Sequence, residues 1–139
     1  MATYQIIDEP KTRALDRLIV DPTIILFVGI FLPFIWNPPF LGRFWIPLVW
    51  LLVNGFLLGS PTIKKELVFA ILGSICWFFI PVLVDSIVQL SGWNIPTENV
   101  RPYSQIVGMG VFFFTLYMVV FLQSAPFAIF QYLKNQANR

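Results

Sequence analysis

The chain has 139 residues, 58% of them hydrophobic and only 12% charged, with a mean hydropathy of +0.78. An ordinary soluble domain is about 25% charged, so this chain lacks the polar side chains to cover itself in water and belongs in a membrane. The net charge of +2, with no basic run beyond Lys64-Lys65, argues against a nucleic-acid surface. The absence of histidine removes the commonest metal ligand and general base, and a lone cysteine, Cys76, forms no intrachain disulfide.

Residues 1–21 are the one markedly polar stretch. Leu15, Leu18 and Ile19 recur there at helical spacing, with Arg13, Asp16 and Arg17 between them. The pattern predicts a short amphipathic helix on the membrane surface, cytoplasmic or interfacial, ahead of a transmembrane domain over 22–133. The mixed acids and bases are unlike a secretory signal, and the first hydrophobic helix is expected to be retained.

Asp21-Pro22 is a favourable helix start: the carboxylate caps free amides and proline is tolerated at the first helical position. The apolar run 22–36 gives helix one. At about fifteen residues it is about 22 Å long, short against a hydrocarbon core of about 30 Å. It therefore spans a thinned bilayer, borrows residues upstream, or dips in and returns. WNPPFLGRFW, residues 36–45, is the first break, with Trp36 and Trp45 as headgroup anchors and Arg43 in reach of phosphates.

Helix two is expected from about Phe44 to Leu58. It carries Asn54 and the small-xxx-small pair Gly55 and Gly59, a spacing that lets helix backbones approach. SPTIKKE, 60–66, is the second turn. Helix three runs from about Glu66 to Leu90, with Ala70 and Ser74 at the same small-residue spacing, then Cys76, Pro81 and Asp85. Glu66 suits the positive end of the helix dipole. The connection 91–105, SGWNIPTENVRPYSQ, holds prolines that preclude a long helix, with Trp93 and Tyr103 as interface residues. Helix four is expected over about Ile106–Phe130, followed by a polar tail over 134–139.

The fold class is thus all-α: a polytopic membrane protein of four transmembrane helices preceded by a surface helix. Alternate segments hold seven basic residues (Lys11, Arg13, Arg17, Lys64, Lys65, Lys134, Arg139) against two (Arg43, Arg101). By the positive-inside rule both termini are cytoplasmic, in the inner (cytoplasmic) membrane.

Asp85 lies in the apolar run FFIPVLVDSIVQL. Near the outer end of helix three it is shallow, and an ion pair with Arg101 or Arg43 offsets its cost. The sharper reading is a cation or proton site lined by Asp85, Ser86 and Gln89. Asn54 and Gln123, deeper in helices two and four, each want an interhelical partner, at about 0.6–2 kcal/mol per bond. They read as glue before pathway.

No catalytic triad, Cys-His pair, HExxH or phosphate loop is present, so neither an enzyme nor a resident cofactor or metal is expected. The composition points to a non-catalytic structural or assembly subunit of a membrane complex, or a self-associating scaffold. Its partners are then the lipid bilayer and other membrane-protein subunits or copies of itself. A small homo-oligomeric ion channel or ion-coupled transporter using Asp85 is the alternative. The third reading is a membrane effector or sensor signalling through its cytoplasmic segment.

Overall fold

The structure, a computed structural model, describes residues 17–35, 40–92 and 95–137, with backbone only at 32–35, 40–44, 97 and 137. It is all-helical: α1 (Pro22–Ile35), α2 (Phe40–Leu57), α3 (Ile63–Leu90) and α4 (Thr97–Ala137). The surface helix expected within residues 1–21 and the anchors Trp36 and Trp93 fall largely or wholly outside the described residues. Arg17 and Leu18, the described start of that segment, are exposed.

Among the described residues two helices, not four, are long and apolar enough to cross a membrane: α3, and the stretch Glu98–Gln136 of α4. The other two are shorter for local reasons. Asp21 caps α1, its Oδ1 accepting the Thr23 amide at 2.8 Å, and the helix ends after 14 residues. α2 closes at Leu57 in a Schellman turn. The Ser60 amide donates to the Gly55 carbonyl and the Gly59 amide to the Phe56 carbonyl, both at 3.1 Å. Gly59 holds φ +63°, a left-handed conformation that favours glycine.

α4 departs furthest from the sequence reading. It starts at Thr97 rather than Ile106 and continues through Pro102 and Pro126 to Ala137. Pro102 deprives only the Glu98 carbonyl, in the exposed first turn, where a backbone acceptor needs no helical partner. The prolines of 91–105 therefore do not hold the helix off.

α3 runs antiparallel along α4. Thr62 meets Leu122, Gly73 faces Thr115, and Trp77 lies beside Gly108. The α1–α2 hairpin packs on α4, with α2 also touching α3. A Cβ at Gly29 would lie 2.9 Å from Pro47 Cβ, which is how closely α1 and α2 approach. The core comprises Ile25, Leu48, Leu51, Ala70, Phe112, Leu116, Val119 and Val120. Outside it the surface is apolar: Phe56, Phe78, Ile87 and Phe121 are all more than half exposed. Hydrocarbon outside and polar groups inside is the distribution expected when the solvent is lipid.

Candidate functional site

The polar groups gather at one end of the bundle, where the start of α1, the end of α2, the start of α3 and the later part of α4 meet. Asn54, Glu66 and Gln123 are each 1% exposed or less, and Ser60 is 4% exposed. The Schellman turn reverses the chain over this end and sets Thr62 one turn, and Ser60 six residues, ahead of Glu66.

The hydrogen bonds fix one another's direction from the outside inward. The Val20 amide donates to Asn54 Oδ1 at 2.9 Å, so Asn54 Nδ2 is the donor on the other side, to the Val20 carbonyl at 2.9 Å and to Gln123 Oε1 at 3.4 Å. Gln123 must then present Nε2 to the remaining neighbours. It donates to the Leu51 carbonyl at 2.7 Å and to Glu66 Oε2 at 2.8 Å. Both amide hydrogens of Asn54 and of Gln123 are used. Glu66 Oε2 is therefore an acceptor.

The second carboxyl oxygen faces two hydroxyls. Ser60 Oγ lies 2.6 Å and Thr62 Oγ1 2.8 Å from Glu66 Oε1; the two hydroxyl oxygens are 2.7 Å apart, and Thr62 Oγ1 is 3.3 Å from the Leu122 carbonyl. No basic side chain pairs with Glu66 among the described residues: Lys64 and Lys65, its neighbours on α3, are exposed. Gly55 supplies the space for the cluster. A Cβ there would overlap Glu66 Oε2 and sit 2.6 Å from Gln123 Nε2.

Among the residues singled out in the sequence, this site unites Asn54, Gln123 and Gly55. It does not include Asp85 or Gln89. These lie toward the other end of α3, Asp85 about 28 Å from Glu66 along the axis. Asp85 is half-buried and Gln89 exposed. Ser86 turns its hydroxyl back to the Val82 carbonyl at 2.7 Å. Among the described residues Asp85 forms no ion pair, and Arg101 is exposed; the Arg43 side chain lies outside them. Gly59 is a cap and not a helix contact, since nothing lies within 4 Å of where its Cβ would be. Ala70 is buried in the core, and half-buried Ser74 donates to its carbonyl at 2.7 Å. Trp45 and Tyr103 are exposed.

The residues that sequence reasoning missed are Glu66, Ser60 and Thr62. Their signal is faint but present. Asn54, Glu66 and Gln123 share one end of any four-helix up-and-down arrangement, so the acid and both amides fall at similar depth. No protein-family model, characterised protein or solved structure matches the chain.

Proposed function

We propose that the chain is an integral membrane protein with all four helices in the bilayer, α1 and α2 forming the shorter hairpin, and that it serves as a non-catalytic assembly subunit or self-associating scaffold. The observation that carries this reading is the inversion of polarity. Large apolar side chains cover the outside while Asn54, Glu66 and Gln123 are closed within. The polar network touches the segment before α1, α2, α3 and α4, as suits a group of side chains that locks a bundle in one arrangement. The apolar outer face of α3 is then free for lipid or for neighbouring helices. The bias of basic residues favours cytoplasmic termini.

Gentle solubilisation followed by native mass measurement tests the proposal. Copies of this chain, or other membrane subunits, are expected to co-purify at fixed stoichiometry. A lone protomer would overturn the proposal, and a homo-oligomer that carries ion flux in liposomes holding the pure protein would instead favour the channel or transporter reading. Tags at each terminus, probed in sealed vesicles, test the orientation.

A further inference from the structure

The hydroxyls around Glu66 have fewer hydrogens than acceptors. Ser60 and Thr62 carry one hydroxyl hydrogen each. Within reach stand Glu66 Oε1, the other hydroxyl and the Leu122 carbonyl. That carbonyl is special: its helical partner four residues on is Pro126, which has no amide hydrogen. The Thr62 hydroxyl is the donor the structure offers in its place.

The state of Glu66 decides where that hydrogen goes. When the carboxyl is protonated on Oε1, it donates to Ser60, Ser60 donates to Thr62, and Thr62 donates to the Leu122 carbonyl. Every group in the chain is satisfied, and Gln123 still donates to Oε2. When the carboxyl is ionised, Ser60 and Thr62 both donate to Oε1, since a hydrogen bond to a charged acceptor is about twice as strong as a neutral one. The Leu122 carbonyl then loses its donor at the very point where proline has interrupted the helix. The protonated form alone completes the set of hydrogen bonds.

We propose that Glu66 is a buried proton-binding site whose occupancy is relayed through Ser60 and Thr62 to the Leu122 carbonyl, setting a hinge in α4 at Pro126. The proton enters from and returns to water at the α2–α3 turn, where Pro61 is exposed; no other bond is made or broken. The part of α4 beyond the hinge, ending at Ala137, runs past the start of α3 and is exposed over Gln131–Gln136. It is held straight when Glu66 is protonated and released when Glu66 is ionised. Among the described residues, α2 and α4 present only neutral groups to Glu66 (Asn54, Gly55, Leu122 and Gln123). Arg17 and Asp21, near α1, do not contact it. This relay holds whether or not the chain is an assembly subunit.

Spin-label distance measurements on the full chain in lipid nanodiscs test it. Cys76→Ser removes the native thiol. Labels at Ile71→Cys and Gln131→Cys span the hinge, and labels at Ile71→Cys and Val107→Cys stay on one side of it. On raising the pH, the distance distribution across the hinge is expected to broaden while the reference pair stays fixed. Glu66→Gln, which keeps a donor toward Ser60 without a charge, is expected to hold the narrow distribution at every pH. Thr62→Val is expected to give the broad one at every pH. A wild-type distribution that ignores pH, or a Glu66→Gln protein that still responds, would overturn the proposal. So would a transition that follows sodium, potassium or calcium at fixed pH, which assigns the site to a metal cation.

Discussion

Gly55 and Gln123 meet where a side chain on one excludes the other: a Cβ on Gly55 would lie 2.6 Å from Gln123 Nε2 and overlap Glu66 Oε2. The absence of a side chain on α2 thus lets α3 and α4 bring their polar groups together. Gly55→Ala is expected to destabilise the bundle by about 1–3 kcal/mol, the usual range for overpacking, although alanine is the better helix former by about 1 kcal/mol. Denaturant unfolding in mixed micelles measures it. A more stable variant would mean that the cluster is not closed over Gly55.

The amide-to-amide link between Asn54 and Gln123 joins α2 to α4. Asn54→Ala also strips the Val20 carbonyl and amide of their partners, and Gln123→Ala strips Glu66 Oε2 and the Leu51 carbonyl of theirs. Each single variant is therefore expected to lose more than the bond between them is worth. A double-mutant cycle isolates that bond, with an expected coupling of about 0.5–1.7 kcal/mol. Strict additivity would show that the two amides act separately.

How much of this was legible in the sequence depends on which physics each feature needs. The apolar runs and the Asp21-Pro22 start are local, and α1, α2 and α3 fall within a few residues of where periodicity puts them. Proline was the misleading signal. Pro102 looks like a terminator, yet α4 runs through it as it does through Pro126, which the sequence pattern already places inside helix four. Pro102 orphans an exposed carbonyl, and the carbonyl orphaned by Pro126 finds the Thr62 hydroxyl. Nothing in the residues around Pro126 reveals that donor, because it arrives from sixty residues away on another element. Glu66 misled for the same reason. At the start of a helix and next to two lysines it suits the helix dipole, and nothing local marks it as buried; its burial goes with the space at Gly55 and the turn that Gly59 permits. Asp85 drew attention because its sequence neighbours are apolar, but burial is set by tertiary neighbours.

Glu66 and Asp85 are both acids on α3, and the structure ranks them. Glu66 is fully buried with three hydrogen-bonding neighbours, Ser60, Thr62 and Gln123, whereas Asp85 is half-buried and forms no hydrogen bond among the described residues. Glu66→Ala leaves Ser60, Thr62 and Gln123 with donors to rehouse and is expected to cost about 1–3 kcal/mol. Asp85→Asn is expected to stay within about 0.5 kcal/mol of the parent. Unfolding of the two variants side by side checks the ranking, and the reverse order would shift the candidate site to the other end of the bundle.

Three glycines separate the causes for which glycine is used. At Gly73 a Cβ would run into the Thr115 side chain, so Gly73→Ala forces α3 and α4 apart and is expected to be the most disruptive. Gly59 has open space but a left-handed backbone, so Gly59→Ala is expected to cost about 1–2 kcal/mol through conformation alone. Gly110 has neither constraint: nothing lies within 4 Å of its Cβ position and it sits inside α4. Gly110→Ala is expected to be neutral or to gain up to about 1 kcal/mol. Thermal unfolding of the three variants in one detergent should therefore rank Gly73→Ala below Gly59→Ala and Gly59→Ala below Gly110→Ala. A Gly73→Ala protein as stable as Gly110→Ala would show that α3 and α4 do not approach through Gly73 and Thr115, and with that contact would go the antiparallel register that brings Glu66 level with Gln123.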